Sequence, residues 1–151
     1  MKYLFPLALL AFPFAADKAD EKKTDKDLLQ GTWVFVSLER NGKKIADDDD
    51  FQYVVLKDAK WTFNGDTLKS PLWNEKVAVT FTLDPSKKPA TIDLVIKTED
   101  AKETAPMLYE LKDDTLKLCT GGAPGERPKE ISSKGGQAIL TLKREEKKAE
   151  K

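Results

Sequence analysis

The chain has 151 residues, 40% of them apolar and 34% charged, and its 26 basic side chains balance its 26 acidic ones. This length suits one folded domain, and the balanced charge lacks the positive excess that binding to nucleic acid or to an anionic membrane requires, so we predict no nucleic-acid partner. Histidine is absent from the sequence, which excludes Ser-His and Cys-His catalysis and the histidine-dependent zinc sites.

Residues 1–16 have the pattern of a secretory signal peptide. Lys2 provides a positive start, residues 3–14 form an apolar run, and the small pair Ala15-Ala16 follows. The run is shorter than the roughly 20 apolar residues that span a bilayer, so we predict no transmembrane segment in the mature chain. No cysteine lies near the cleavage site to carry a lipid anchor. We expect export to the periplasm or secretion.

A charged segment, residues 17–27, leads into the domain. Alanine is its only apolar residue, so it cannot support a core, and we predict a flexible linker. Residues 27–30 then predict a short turn of helix capped by Asp27. At the other end of the chain, residues 145–151 form a charged tail, which leaves 28–144 for the folded domain.

The most apolar predicted strand spans residues 31–40. The pair that follows it, Asn41-Gly42, favours a type I′ hairpin turn and a short return strand over 43–46. One face of the first strand carries Trp33 and Phe35, and the other carries Val34, Val36 and Leu38. Because both faces have large apolar side chains, we predict that this strand is buried on both sides.

Short strands separated by turn residues follow along the rest of the domain. We predict two or three of them over residues 51–57, 61–63 and 67–69, and further strands at 77–83, 91–97, 106–111, 115–120 and 137–144. Residues 98–104 predict a charged loop, and residues 121–128, with three glycines and two prolines, predict the most flexible stretch. A domain of about eight strands with frequent turn signals and almost no helical periodicity is typical of an all-β fold, and we predict an antiparallel up-and-down barrel.

Three features that could indicate chemistry have simpler explanations. The consecutive acids Asp47–Asp50 lack the spaced oxygens and the glycine of a calcium loop. Asp93 and Glu110 lie on the solvent side of their predicted strands, where a charged residue is ordinary. Cys119 is the only cysteine, so it forms no intramolecular disulfide, and we interpret it as a small buried apolar group. We predict no enzyme activity, no catalytic residues, no metal and no cofactor.

The interior of an eight-stranded barrel is just wide enough to be filled by side chains or to hold one small ligand. The candidate ligand-binding residues of this interior are Phe35, Trp61, Phe63, Trp73, Phe81, Leu94 and Leu118. Trp73 lies in a loop, where it serves either as a lid over a ligand or as a plug over the core. Two functions therefore stay open. One is binding of a small apolar ligand, and the other is a side-chain-filled module that contacts or inhibits a cell-envelope protein through loops 70–75 and 121–128.

Short motifs run in order through residues 28–144. They are Gly31-Thr32-Trp33, Asn41-Gly42-Lys43, Leu83–Pro89 leading to Ile92–Leu94, Leu108–Leu111 with Asp114–Cys119, Glu126–Pro128 and Leu142–Arg144. This set resembles a domain family that is abundant in planctomycete bacteria, described as lipocalin-like and of uncharacterised function. The resemblance implies an exported bacterial protein with a lipocalin-like barrel over residues 28–144.

The resemblance also implies one contact at an end of the barrel. In lipocalins, the tryptophan of the Gly-x-Trp motif packs at the closed end against an arginine near the last strand. By position, Arg144 takes that role over Trp33 in this chain, and Arg127 is the second choice. A cation–π contact of this kind is worth roughly 0.5 to 2 kcal/mol.

Overall fold

The computed structural model describes residues 23–45 and 51–146. The predicted signal peptide at 1–16, most of the predicted linker, the acidic run Asp47–Asp50 and the end of the charged tail lie outside these ranges. The interpretations of those segments therefore stay predictions.

Nine strands form one antiparallel sheet that closes on itself. The strands are β1 Gly31–Arg40, β2 Lys43–Ile45, β3 Lys60–Asn64, β4 Thr67–Lys69, β5 Ala78–Asp84, β6 Thr91–Lys97, β7 Lys102–Lys112, β8 Thr115–Thr120 and β9 Ala138–Arg144. Each strand from β3 to β8 pairs with the next one in the chain, and β1 pairs with both β3 and β9. These eight strands make the predicted closed up-and-down barrel, and β2 is one extra strand beside β1.

The turn between β1 and β2 has the predicted hairpin geometry, but β1 itself is not buried on both sides. β1 pairs with β9 in register up to Phe35, and the register shifts before Ser37. Val36 is therefore the extra residue of a β-bulge, and an extra residue moves all later side chains to the opposite face. Leu38 joins Trp33 in the core, whereas Val36 is 45% exposed.

A short helix, α2 (Phe51–Leu56), stands where the sequence predicts a strand over 51–57. Tyr53 and Leu56, three residues apart, pack against the core, and Val54 and Val55 are exposed. That spacing belongs to a helix face. The prediction is wrong because Tyr and Val favour strands, and a window of six residues cannot separate the two periods reliably.

The hairpin between β6 and β7 is tighter than the sequence predicts. β7 begins at Lys102, and the ladder with β6 extends to the pair Lys97 and Lys102. The prediction of a loop over 98–104 is therefore wrong for residues 102–104, which belong to β7. Residues 102–104 are all exposed, so no apolar alternation marks them as part of the strand.

Helix α1 (Asp25–Leu29) covers the end of the barrel where β1 begins, and it starts within the segment predicted as a linker. Its cap is Thr24 rather than the predicted Asp27. The Thr24 hydroxyl accepts from the Asp27 amide, and the Asp27 carboxylate accepts from Thr24, which together form a capping box. The hydrogen bonds from the Thr24 side chain and backbone lower the pKa of Asp27.

Candidate functional site

Trp33 and Arg144 form the contact that the family resemblance implies. Trp33 is fully buried, and its indole N–H donates to the Leu29 carbonyl of α1 at 2.8 Å. The Arg144 guanidinium lies over the Trp33 ring, with Cζ 4.4 Å from the ring centroid. The stack of α1, Trp33 and Arg144 closes this end of the barrel.

Arg144 also fastens α1 by hydrogen bonds. Its Nη1 donates to the Gln30 carbonyl at 3.0 Å and its Nη2 donates to the Leu28 carbonyl. Carbonyl groups at the end of a helix lack partners within the helix and attract a cation. The Nε donates to the Asp114 carboxylate at 3.2 Å, so one side chain joins α1, β9 and the β7–β8 turn.

Arg127, the second choice for the contact with Trp33, lies elsewhere. Its guanidinium donates to the Met107 carbonyl at 3.0 Å and to Asp93 at 2.5 Å. Since Asp93 is on the outer face of β6, Arg127 anchors its loop to the outside of the barrel. The Asp93 carboxylate therefore has a structural ion-pair partner.

The loop between β8 and β9, residues 121–137, forms what we call the strap. At its far end Ser133 accepts from the amide of Asn41 through its carbonyl and from Gly42 through its hydroxyl, and it donates to Glu39. Beneath it Cys119 is fully buried, as predicted for a small apolar group. The sequence predicts 121–128 as a flexible stretch because glycine and proline mark loops. Glycine and proline do not reveal that Arg127, within this stretch, is held by hydrogen bonds to Met107 and Asp93.

Tyr109 provides a further link to α1. Its ring is buried in the core, and its hydroxyl donates to the Asp25 carboxylate at 2.6 Å. Burial, followed by this hydrogen bond and the negative charge of Asp25, raises the pKa of Tyr109 above its ordinary value of 10.0. The neutral phenol is thus the form that the folded protein stabilises.

This pKa shift predicts a loss of stability in alkali. Above pH 10.0 the unfolded chain releases the Tyr109 proton while the folded protein retains it, so the free energy of unfolding falls as the pH rises through this window. In Tyr109→Phe this contribution is absent, and we expect a shallower fall between about pH 9 and about pH 11 in urea unfolding. Other titrating groups are common to both chains, so parallel curves would contradict the assignment.

The predicted interior residues are packed together in one core. Phe35, Trp61, Phe63, Phe81, Leu94 and Leu118 are all buried there. The rings of Phe63 and Phe81 meet edge-on with centroids 5.2 Å apart. Trp73 is half-buried and meets the Trp61 ring edge-on at 5.9 Å, so it packs over the core beside that residue.

The end of the barrel opposite α1 opens into an apolar groove with a volume of about 560 Å³, which we call the mouth groove. It lies where β1 and β8 end and β9 begins, between α2 and the loop that leads to β5. Its lining residues are Leu38, Arg40, Val55, Leu56, Leu72, Thr120, Gly136, Ala138 and Leu140. None of the seven predicted interior residues is among them.

Sequence reasoning missed the mouth groove for two local reasons. The bulge at Val36 turns Leu38 inward, whereas simple alternation places Leu38 on the same side as Val36. Val55 and Leu56 belong to α2, which stands where the sequence predicts a strand. The signal that could have found it is the spacing of Tyr53 and Leu56, which fits one turn of helix.

Other hollows of similar size have a different chemical character. One of about 670 Å³ beside α1 has Asp25, Lys26 and Asp66 in its wall. Another of about 690 Å³ is lined by Lys143 and Arg144 together with four acidic residues. Since ligand sites are mostly apolar with few polar groups, the mouth groove is the better candidate for an apolar molecule.

The fold defines the class of protein as a small closed β-barrel, compatible with a lipocalin-like barrel. Comparison of the chain with protein-family models, with curated proteins and with solved structures found no match. Within residues 23–45 and 51–146, neither helix is long and apolar enough to cross a membrane. The same ranges contain no cluster of three or more His, Cys, Asp or Glu side chains arranged to hold a metal ion.

Proposed function

We propose that the protein is a non-enzymatic binding module that takes up one small apolar molecule in the mouth groove. The observation that carries the proposal is the lining, in which inward-facing leucines of β1 and β9 stand near exposed apolar side chains. Val55 is 39% and Leu72 is 36% exposed. Covering such groups with an apolar ligand gains about 25 cal/mol for each Å² removed from water.

The size and charge of the groove support the same function. Its volume of about 560 Å³ falls in the range of roughly 300 to 1,000 Å³ that is typical of small-molecule sites. Among the described lining residues, the charged one is Arg40, the last residue of β1. This composition favours a ligand that is apolar over most of its surface.

The sequence supports a place outside the cytoplasm. Residues 1–16 have the signal-peptide pattern, and the resemblance to the planctomycete lipocalin-like family implies export as well. We therefore propose a periplasmic or secreted carrier or sensor of an apolar molecule. The competing function is a module that contacts a cell-envelope protein.

The proposal predicts that filling the groove weakens ligand binding. Ala138 is the first residue of β9 and lines the groove, so Ala138→Leu places three more carbon atoms where the ligand must lie. The larger side chain takes up space that apolar groups of the ligand would otherwise fill. Each CH₂ equivalent of the ligand that is no longer buried lowers the binding free energy by about 0.8 kcal/mol, so we expect the affinity for 1-anilinonaphthalene-8-sulfonate to fall about tenfold or more. The measurement is a fluorescence titration with the wild-type chain, which we expect to bind the dye with a stoichiometry near one.

A matched control is available in the same fold. Ala78 is the first residue of β5 and its side chain is exposed on the outer face, so Ala78→Leu makes the same chemical change outside the groove. We expect this variant to bind the dye as the wild type does. Equal loss in both variants would contradict the site, and failure of the wild type to bind any apolar probe would favour the protein-interaction module.

A further inference from the structure

Arg40 faces the interior of the barrel at its open end. It is the last residue of β1 and lies two positions after the buried Leu38, so both side chains share one face of the strand. The pairing of the strands agrees, because Arg40 stands opposite Ala138 on β9, and Ala138 stands opposite Thr120 on β8. We call Arg40, Ala138 and Thr120 the rim row, and all three line the mouth groove.

The next row of side chains towards the core is apolar throughout. Leu38 stands opposite Leu140, Leu140 stands opposite Leu118, and all three leucines are buried. The Arg40 side chain therefore stands one row above a wall of leucines. A groove that is charged at its rim and apolar beneath matches a molecule with a charged head and an apolar body.

The charge at this rim is positive. Arg40 is the charged residue among the described lining residues, and on its other side it stands opposite the exposed Lys43 of β2. Like charges that stand opposite each other in a sheet repel, and an anion near both lowers that repulsion. A guanidinium binds a carboxylate through two parallel hydrogen bonds, and its five N–H donors allow this in addition to contacts within the protein.

We propose that the ligand of the mouth groove is an amphipathic carboxylic acid. Its carboxylate binds the Arg40 guanidinium at the rim, and its apolar body lies against Leu38 and Leu140. Ala138 is the smallest member of the rim row and lies between the other two, which leaves room for the carboxylate beside the arginine. This inference rests on the proposed function and adds to it the chemical class of the ligand.

Calorimetric titration of the wild-type chain with two probes of one shape tests the inference. The probes are tetralin-2-carboxylic acid and its primary amide, which share a bicyclic apolar body and differ in charge at neutral pH. Hydrogen bonds to charged groups contribute more than those between neutral groups. We therefore expect the acid to bind about tenfold more tightly than the amide.

A matched pair of variants locates the charge that the acid meets. Arg40→Met keeps an unbranched side chain but removes the guanidinium, so we expect the affinity for the acid to fall about tenfold and the affinity for the amide to change little. Lys44→Met removes one positive charge from the same hairpin, but Lys44 is exposed and stands opposite Glu39 on the other face. We expect this control to bind both probes as the wild type does.

The outcomes separate this inference from the proposed function. If the wild type binds acid and amide equally well, or if Arg40→Met weakens both by the same factor, the acid proposal is wrong and the apolar groove stands. Equal loss of acid binding in Lys44→Met would also overturn the role of Arg40. If neither probe binds, both proposals are wrong. The comparison of acid with amide needs no variant, so it decides even if Arg40→Met fails to fold.

Discussion

Trp33→Ala is expected to lower the free energy of unfolding by about 4 kcal/mol, as large-to-small substitutions of fully buried aromatic residues do. The change leaves a cavity at the closed end of the barrel. It also removes the hydrogen bond to the Leu29 carbonyl and the ring beneath Arg144. Since small domains have about 5 to 15 kcal/mol of stability in total, we expect a large drop in the urea midpoint measured by circular dichroism.

A second tryptophan provides the comparison for this prediction. Trp73 is half-buried and lies on the loop between β4 and β5, so Trp73→Ala is expected to cost less than half as much. Comparable losses in the two variants would mean that the closed end does not organise the fold as we describe it.

Gly121→Ala is expected to displace the strap and to destabilise the domain by about 1 to 3 kcal/mol, the range for overpacked sites. A Cβ atom at this position would stand 1.9 Å from the Glu126 carbonyl oxygen, so the backbone must move. Arg127 follows Glu126 in the chain, so its hydrogen bonds to Met107 and Asp93 depend on the position of the Glu126 backbone.

Thiol chemistry reports the displacement directly. Cys119 is fully buried beneath the strap, so a thiol reagent such as 5,5′-dithiobis(2-nitrobenzoate) reacts slowly with the wild type and faster with Gly121→Ala. The control is Gly125→Asn, at a position with φ of +77° and nothing within 4 Å of an added Cβ, a conformation that asparagine tolerates. Unchanged reactivity in Gly121→Ala would show that the strap does not protect Cys119.

The barrel could be predicted from the sequence because most strands follow strict alternation. β5 buries Val79 and Phe81 and exposes Ala78, and β6 buries Ile92 and Leu94, as the pattern requires. The Asn41-Gly42 turn has positive φ at both residues, which is what its type I′ geometry demands. Local sequence determines these features, so local reasoning finds them.

The site could be predicted only in part, because it depends on features that alternation does not encode. The contact between Trp33 and Arg144 joins residues more than a hundred positions apart, and a family resemblance pointed to it where no local pattern did. The mouth groove depends on the β1 bulge and on α2. The extra residue Val36 in β1 and the six residues of α2 change which side chains meet at the groove. Tertiary packing decides whether the bulge and the helix form.

Intermolecular nuclear Overhauser effects from the bicyclic hydrocarbon tetralin to methyl groups of the protein test most directly whether an apolar molecule binds in the mouth groove. We predict contacts to the methyl groups of Leu72 and Leu140. Contacts instead to the exposed methyl groups of Leu28 or Val36, which lie away from the groove, would contradict the account, and so would the absence of any contact.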